Sequence, residues 1–404
     1  MAIKTAGGSS VVRAALVGGP MYDPLYAAIP AFENEAGVRV EVVAQLPHPE
    51  LNAFVAQAFK GGVRLDLIST HTKYAPSQAP WLLPLDDLIA REIVDDLLAR
   101  PAELSRINGQ LLQVPRNLDI RLLHYRRDCI PAAPGTWTEL IETAGALSRQ
   151  PSNGAPGFYG FLFPGRDSGL FGMFYELLVS AGGELFDANL QPAFESDAGR
   201  WALEQIVDLH LHRSVTPRDL AHWHYDEISA SFRTGHAAMV SDWPGSYHLY
   251  RNEETCRVAD RMDLARLPEG PARKRAAYAG CHSFAIPRTA HNPQLAAALA
   301  AYLTSSGAQV GEARRGAIPC RASALAAFGA EIATVPADAR RWELLKATEE
   351  TMIIPPRFAS YPQCETVLWR NLQAAMLGAR SAAEALRHAA ADVLSIVAEQ
   401  APTR

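Results

Sequence analysis

The hydrophobic positions near the start of the chain recur with two different spacings, one typical of strands and one typical of helices. Short apolar or every-second-residue patterns, bounded by Gly or Pro, predict strands over Val11–Val17, Val38–Val43 and Val63–Ile68. Helical spacing between them predicts helices over Pro24–Glu35 and Pro49–Lys60. The order βαβαβ predicts a parallel sheet with right-handed crossovers. Pro30 should kink the first helix, since an interior proline costs about 3 kcal/mol.

A second run of alternating elements follows Tyr125. Thr136 and Glu139 have the spacing of a capping box, which predicts a helix through Leu147. Further apolar patterns predict a strand, a helix, a second helix and a strand in turn, over 157–163, 170–181, 196–212 and 262–267. The segment Ser229–Tyr247 is predicted to be a helix, a glycine stop, a buried strand and an aromatic turn.

These patterns divide the chain into two α/β lobes. The chain is expected to cross back near Gly280–Pro287, and the helix opened by Asn292-Pro293 should pack on the first lobe. The predicted N-terminal lobe is 1–124 with 285–320, and the C-terminal lobe is 125–284 with 321–404. A length of 404 residues also favours two cores over one.

Composition excludes several classes of protein. The formal charge is −5 with pI near 6.2, and Lys and Arg are scattered, so the chain has no basic stripe for nucleic acid. No apolar run approaches the roughly 18 to 20 residues of a membrane span. The five cysteines are widely spaced, without a C-x-x-C pair, and are expected to be buried thiols.

Metal and catalytic motifs are also missing from the sequence. His210-Leu-His212 and His222-Trp-His224 lack the i, i+4 spacing of a helical metal pair and have no third ligand nearby. The chain contains no G-x-S-x-G, phosphate loop or dinucleotide fingerprint. We therefore expect no metal, no cofactor and no enzyme activity. A neighbouring Cys281-His282 pair is the enzymatic alternative, but adjacent strand residues point to opposite faces.

Several motifs together resemble one protein family. They occur in the family's order and cover nearly the whole chain: Thr-Trp-Thr-Glu-Leu at 136–140, Ala-Gly-Gly at 181–183, Phe-Arg-Thr-Gly-His-Ala-Ala-Met at 232–239, Gly-Cys-His-Ser-Phe-Ala-Ile-Pro at 280–287 and Pro-Pro-Arg-Phe-Ala-Ser-Tyr at 355–361. The chain resembles family 1 extracellular solute-binding proteins, the maltose- and glucose-binding-protein-like receptors of ABC sugar importers.

The resemblance implies a fold, partners and a location. It implies the α/β, two-lobed periplasmic-binding-protein fold of type II, with discontinuous lobes, a central cleft and three hinge crossings. The expected partners are a sugar-like ligand and the permease subunits of an ABC transporter, and a monomer is expected. A periplasmic or extracellular location is implied, yet residues 1–10 show no export signal. Removal of the signal or a misplaced start would explain this, and a cytoplasmic protein is the alternative.

Candidate ligand residues follow from strand ends and from the resemblance. Ligands of open parallel sheets bind beyond the carboxyl ends of the strands, which selects 18–23, 45–48, 70–74 and 241–247. A sugar needs aromatic surfaces and planar polar groups. The resulting candidates are Asp23, His71, Asn117, Asp119, Asp242, Trp243, Tyr247, Gly280, His282, Arg357 and Tyr361. Asp242-Trp243 resembles the family's Gly-Asp-Trp turn, whose tryptophan stacks on sugar, with Ser241 in place of the glycine.

Each candidate has a structural alternative. Trp243 could belong to the core, Asp242 could cap the following turn, and Arg357 could be an exposed arginine. An anionic or sugar-phosphate-like solute is the alternative ligand, for which Arg166 and Arg357 would supply charge-assisted donors. Pairing of each arginine with a protein carboxylate would favour the neutral sugar.

Overall fold

The fold was analysed in a computed structural model that describes residues 11–151 and 157–399. Residues 1–10, on which the expectation about an export signal falls, and the last residues of the predicted C-terminal lobe, 400–404, lie outside the described residues. No helix in the described ranges is long and apolar enough to cross a membrane.

Strands and helices alternate along much of the chain. The strands are β1 (Val11–Val17), β2 (Arg39–Leu46), β3 (Leu67–His71), β4 (Arg106–Ile107), β5 (Gln110–Leu111), β6 (Val114–Ile120), β7 (Leu122–Arg126), β8 (Tyr159–Leu162), β9 (Ala237–Asp242), β10 (Met262–Ala265), β11 (Ala277–Ala285), β12 (Ile318–Pro319) and β13 (Met352–Ile353). The α-helices are α1 (Asp23–Tyr26), α2 (Ile29–Ala36), α3 (His48–Phe59), α4 (Ala75–Gln78), α5 (Arg91–Asp95), α6 (Ala99–Leu104), α7 (Trp137–Leu147), α8 (Asp167–Ser180), α9 (Asp197–Val207), α10 (Tyr225–Arg233), α11 (Tyr247–Arg251), α12 (Pro293–Leu303), α13 (Ser306–Ala313), α14 (Ala322–Ile332), α15 (Pro336–Glu349), α16 (Tyr361–Met376) and α17 (Ala382–Glu399).

The first helical segment differs from its prediction. Instead of one kinked helix over Pro24–Glu35, the chain forms two helices, with α1 ending at Tyr26 and α2 beginning at Ile29. Pro30 lies in the first turn of α2, where a missing backbone N–H costs no hydrogen bond. The proline therefore starts a new helix instead of kinking an existing one.

The chain separates into two compact units. The first comprises Met1–Asp119, Gly280–Pro336 and Arg357–Ala359, and the second comprises Ile120–Ala279, Ala337–Pro356 and Ser360–Arg404. The sequence places 321–336 in the C-terminal lobe, whereas here this segment groups with the first unit. Asp96 fixes the start of α14, because its backbone oxygen accepts from Ala322 N at 2.7 Å and its side chain accepts from Ser323 N at 2.9 Å.

The first unit is built on a mixed sheet with the order β12-β6-β11-β3-β1-β2. β1 is parallel to β2 and β3, which confirms the predicted parallel part, while β11 is antiparallel to β3 and β12 is antiparallel to β6. Val12 and Leu16 belong to one buried cluster, and Ala15 and Val17 to another, as alternation along a strand requires. α12 adds Leu295 and other side chains to the Val12 cluster, which confirms its predicted packing.

The second unit contains a four-stranded sheet with the order β10-β7-β9-β8. β7 is antiparallel to both neighbours, and β8 is parallel to β9. The Thr136–Glu139 capping box at the start of α7 is present as predicted. The predicted Ser229–Tyr247 segment is also confirmed, because α10 is followed by Gly235 at φ +86°, by β9 and by a turn at 244–246.

Candidate functional site

Three histidine rings meet in the first unit. His71 ends β3, His282 is its register partner on β11, and His48 begins α3 directly after β2. Ring centroids are 5.2 Å apart for His71 and His282, 5.1 Å for His48 and His282, and 5.7 Å for His48 and His71. We call these three rings the imidazole cluster. Two sequence candidates, His71 and His282, are therefore brought together, and His48 joins them.

Polar neighbours orient the imidazole cluster. The Lys73 backbone N–H donates to Nδ1 of His71 at 3.2 Å, which leaves the ring proton on Nε2. Nε2 of His282 lies 3.2 Å from the Tyr22 hydroxyl and 3.3 Å from Oδ2 of Asp119. Asn117 donates from Nδ2 to Oδ1 of Asp119 at 2.8 Å. The imidazole cluster and the two candidates on β6, Asn117 and Asp119, thus form one connected polar group.

Two rings of the imidazole cluster, His71 and His282, are uncharged at neutral pH. Burial, followed by the proximity of His282 and Lys73, holds the pKa of His71 well below its usual range. Burial and then His48 lower the pKa of His282 in the same way. Burial also raises the pKa of Asp119 to about 7, against the lowering effects of Arg116 and Asn117. The 3.3 Å approach of His282 to Asp119 therefore involves a neutral imidazole and is not an ion pair.

Two polar atoms beside this cluster have no protein partner. Among the described residues, Nδ1 of His282 and Oδ1 of Asn117 are buried without a hydrogen bond. Buried polar atoms are almost always satisfied, by protein, water or a ligand. A hydroxylated ligand could supply both missing bonds, because each hydroxyl can donate and accept.

Arg116 brings a charge close to the cluster, but that charge is neutralised. Its Nε donates to both carboxylate oxygens of Glu312, at 2.9 and 3.1 Å, and both side chains are buried. The guanidinium carbon lies 5.1 Å from the centre of the Tyr22 ring. Tyr22 in turn packs edge-on against His282, with centroids 5.2 Å apart.

The remaining candidates of the first unit have different surroundings. Gly280 lies against the ring of His71, since a Cβ at that position would be 2.1 Å from Nε2. Arg357 donates to the backbone oxygens of Thr72 at 3.3 Å and Leu104 at 2.6 Å, so it is not an exposed arginine. Asp23 is exposed and accepts from Gly19 N at 3.0 Å and from Gln45 Nε2 at 2.7 Å, which ties the segment after β1 to the end of β2.

In the second unit, three aromatic side chains surround one arginine. The Trp243 ring centre is 5.6 Å from that of Tyr225 and 5.8 Å from that of Tyr278. Trp243 and Tyr225 are half-buried, whereas Tyr278 is buried. The Arg121 guanidinium lies 5.9 Å from the Trp243 ring centre and 6.0 Å from that of Tyr225. We call these rings the aromatic cluster.

Arg121 is held by neutralising and polar contacts. It lies 3.4 Å from Oε1 of Glu176, and both side chains are fully buried. Its Nε and Nη2 donate to Oγ of Ser241 at 3.1 and 2.8 Å. Ser241, which replaces the glycine of the Gly-Asp-Trp turn, therefore accepts hydrogen bonds from the Arg121 guanidinium, which lies near Trp243.

The other candidates of the second unit are buried and contact other side chains of that unit. Asp242 is fully buried, accepts from the Trp243 backbone at 2.7 Å and accepts from the Tyr250 hydroxyl through its other oxygen. Burial raises the pKa of Asp242 to about 6. Tyr247 is buried, with the Arg341 guanidinium 4.6 Å from its ring centre, and Tyr361 is fully buried.

Sequence reasoning missed several residues of these clusters. His48 and Tyr22 lie within the strand-end segments that it selected, but neither was chosen as a candidate. Arg121 and Tyr225 had no comparable signal, because their grouping depends on contacts between distant parts of the chain. In the ranges that the structure describes, no group of three or more His, Cys, Asp and Glu side chains is arranged to hold a metal ion.

The chain is similar in sequence to known binding proteins. It is 25% identical over 338 residues to a probable amino-acid ABC transporter periplasmic-binding protein of Sinorhizobium fredii, covering 80% of this chain and 75% of that protein. It is 28% identical over 237 residues to the mannitol-binding protein of Pseudomonas aeruginosa, covering 56% of this chain and 52% of that protein, about half its length.

The fold is similar to that of a solved sugar receptor. The maltose-bound MalE3 of T. maritima has a TM-score of 0.86 and 23% sequence identity, covering 96% of this chain and all of that chain. This likeness confirms the predicted periplasmic-binding-protein fold. The family model of bacterial extracellular solute-binding proteins matches residues 18–310 of this chain. This match confirms the predicted resemblance, and the chain belongs to the family of bacterial extracellular solute-binding proteins.

Proposed function

We propose that the protein is the solute-binding receptor of an ABC importer and that its solute is an uncharged polyhydroxylated molecule, a sugar or a polyol. Each unit offers groups suited to such a solute: the imidazole cluster in the first unit and the aromatic cluster in the second. The observation that carries the proposal is the pair of uncharged imidazoles of His71 and His282, with buried unpaired atoms on His282 and Asn117.

The polar chemistry of the first unit suits hydroxyl groups. A neutral imidazole offers one donor and one acceptor, and a hydroxyl both donates and accepts. Nε2–H of His71 is a donor, since its Nδ1 already accepts from the backbone. A carbonyl oxygen on Asn117 and a ring nitrogen on His282 complete a set that needs no charge on the ligand.

The aromatic chemistry of the second unit suits the C–H faces of a sugar ring. Trp243 is half-buried, so part of its surface is accessible for stacking. Its neighbour Arg121 lies beside Glu176, whose pKa burial raises to about 7, so the carboxylate offsets part of the guanidinium charge at neutral pH.

The anionic alternative has less support. Arg166 pairs with Asp167 at 3.0 Å, as a neutral solute predicts. Arg357 donates to backbone oxygens and not to a carboxylate, so its guanidinium is held in place without being neutralised there. A free amino acid, the solute class named for the Sinorhizobium relative, would need an unpaired carboxylate and an unpaired guanidinium. Arg116 and Arg121 each already pair with a glutamate.

The biological setting follows from the same proposal. The receptor acts outside the cytoplasmic membrane, captures the solute by closure of its lobes and delivers it to permease subunits. An affinity of about micromolar, roughly −8 kcal/mol, allows both capture and release. A monomer stays a prediction.

A thermal-shift panel of neutral sugars, polyols, sugar phosphates and amino acids tests the proposal. A ligand at 100 times its Kd stabilises by about 2.7 kcal/mol, which is a readily detected shift. We expect a neutral sugar or polyol to give the largest shift and to bind nearly as tightly at about 0.5 M salt, since hydroxyl hydrogen bonds carry no net charge to screen.

A matched pair of variants ties this binding to the cluster. His282→Ala should weaken binding of the panel's best solute tenfold or more, whereas His212→Ala, which removes an exposed imidazole of the second unit, should leave it unchanged. Shifts from sugar phosphates or amino acids alone, lost in high salt, would contradict a neutral solute.

A further inference from the structure

Two cysteine side chains of the first unit lie in contact. Cys281 is on β11 between Gly280 and His282, and Cys320 directly follows β12. Their sulfur atoms are 3.7 Å apart, and both side chains are fully buried. The other cysteines, Cys129, Cys256 and Cys364, all belong to the second unit.

We propose that Cys281 and Cys320 form a disulfide when the chain folds in an oxidising compartment. Proteins of this extracellular family work where disulfides persist. A disulfide needs a sulfur separation of about 2.05 Å, so the two sulfurs must approach by about 1.7 Å in total. Divided between two side chains, that approach requires a movement of less than about 1 Å from each.

The backbone around Cys320 is already fixed. Its N–H donates to Oε1 of the buried Gln309 at 2.7 Å, and its carbonyl accepts from Leu98 N at 2.8 Å. Cys281 is on β11, and β6 separates β11 from β12 in the sheet, so the two side chains approach each other from strands that are not neighbours. Closing the bond therefore draws the segment directly after β12 towards β11.

The reaction balances as two thiol–disulfide exchanges with a disulfide oxidant, such as oxidised glutathione. The thiolate of one cysteine attacks the oxidant, forms a mixed disulfide and releases one thiol. The second cysteine then attacks the mixed disulfide and releases the other thiol, so the protein loses two electrons and two protons to the oxidant.

The timing of this reaction follows from burial. Burial and the adjacent Cys281 thiol raise the pKa of Cys320 well above its usual range, which suppresses the reactive thiolate in the folded protein. The exchange must therefore take place during folding, before the pair is enclosed. Chain folded without an oxidant should keep both thiols and resist oxidation afterwards.

The bond would close a long loop. Cys281 and Cys320 are 39 residues apart, and the loop contains α12 and α13. Closing such a loop restricts the unfolded chain, and reduction should lower the Tm by roughly 5–10 °C.

Thiol counting in the full chain tests the bond directly. The protein is refolded with a mixture of reduced and oxidised glutathione, denatured without reductant, alkylated and weighed as the intact chain. Of the five cysteines, we expect three to be alkylated in the wild type without reductant and all five with it. Peptide mapping should recover the segments around residues 281 and 320 joined.

Variants separate this bond from other pairings. Cys281→Ala and Cys320→Ala should each give four alkylated thiols with or without reductant, and reduction should not change the Tm of the double variant. Cys364→Ala, the control, should behave like the wild type with one thiol fewer. Five alkylated cysteines in the refolded wild type, or a different joined pair, would overturn the proposal. Because the count uses denatured protein, it is independent of solute binding.

Discussion

Trp243→Ala distinguishes a ligand platform from a core residue. A tryptophan can bury about 150–250 Å², and Trp243 is only partly exposed, so roughly 60 Å² is accessible to a sugar ring. At about 25 cal/mol per Å², covering that area contributes about 1.5 kcal/mol. We therefore expect the substitution to weaken binding by about 1 to 3 kcal/mol, or roughly 5- to 150-fold in Kd. Its cost in stability should be smaller than that of removing a fully buried ring.

Trp137→Ala is the matched control in the same unit. Trp137 is 1% exposed and has almost no surface left for a ligand. Its removal should cost about 3 to 5 kcal/mol of unfolding free energy and leave the affinity of the folded fraction unchanged. Urea denaturation and titration calorimetry measure the two quantities for both variants. If Trp243→Ala loses as much stability as Trp137→Ala while its affinity is unchanged, the platform role is refuted.

Two further perturbations follow from the geometry. Gly280→Ala should displace the His71 ring, because the new Cβ would lie 2.1 Å from Nε2 of His71. We expect a Kd at least tenfold weaker and an unfolding free energy lower by about 1 to 3 kcal/mol. An unchanged Kd would contradict this role of the glycine. His124 is fully buried, and burial lowers its pKa to about 3, so between pH 6.5 and 3 only the unfolded chain takes up its proton and stability falls as the pH falls. Between pH 7 and pH 5, the unfolding free energy from urea denaturation should fall by about 2 kcal/mol more for the wild type than for His124→Phe. Equal decreases in the two proteins would show that His124 does not cause the acid sensitivity.

The hydrophobic pattern of the sequence predicts much of the fold because local patterns decide it. The apolar patterns identified β1 and β2, and capping chemistry identified the start of α7. The third strand was placed too early, because β3 begins at Leu67, near the end of the predicted Val63–Ile68. The exception at Pro30 is also local, since a proline suits the first turn of a helix as well as it disrupts an interior. The grouping of 321–336 was missed because it depends on Asp96, more than 200 residues earlier.

The candidate site was predictable by position more than by residue. The strand-end rule selected the segments that hold Tyr22, His48 and His71. His48 and His71 do meet, and Tyr22 contacts the third ring of the cluster, His282. The rule could not show that His282 would complete the imidazole cluster with His48, because the register of β11 against β3 is a long-range property. Whether these residues bind the solute stays a prediction.

The buried arginines illustrate why the rest could not be foreseen. An arginine within a mostly apolar segment is usually taken as an edge or surface position, since charges are seldom buried unpaired. Arg116 is buried because Glu312, 196 residues later, neutralises it. No local pattern of the sequence contains that pairing.

Both units use the same arrangement of charge and aromatic rings, and this arrangement bears on the solute. In the first unit, Arg116 pairs with Glu312 and lies 5.1 Å from the ring centre of Tyr22, beside the imidazole cluster. In the second, Arg121 pairs with Glu176 and lies 5.9 Å from the ring centre of Trp243.

Buried ion pairs are weak evidence for stability, because desolvation offsets most of their attraction. Here each guanidinium instead contacts an aromatic ring by a cation–π interaction while a glutamate offsets its charge, in part only for Arg121, because burial raises the pKa of Glu176 to about 7. A charged solute would gain less from cations whose charge is offset within the protein, whereas the ordered rings and the neutral imidazoles of His71 and His282 offer stacking surfaces and hydrogen bonds. The repetition of this arrangement in two separate units favours an uncharged, hydroxylated solute.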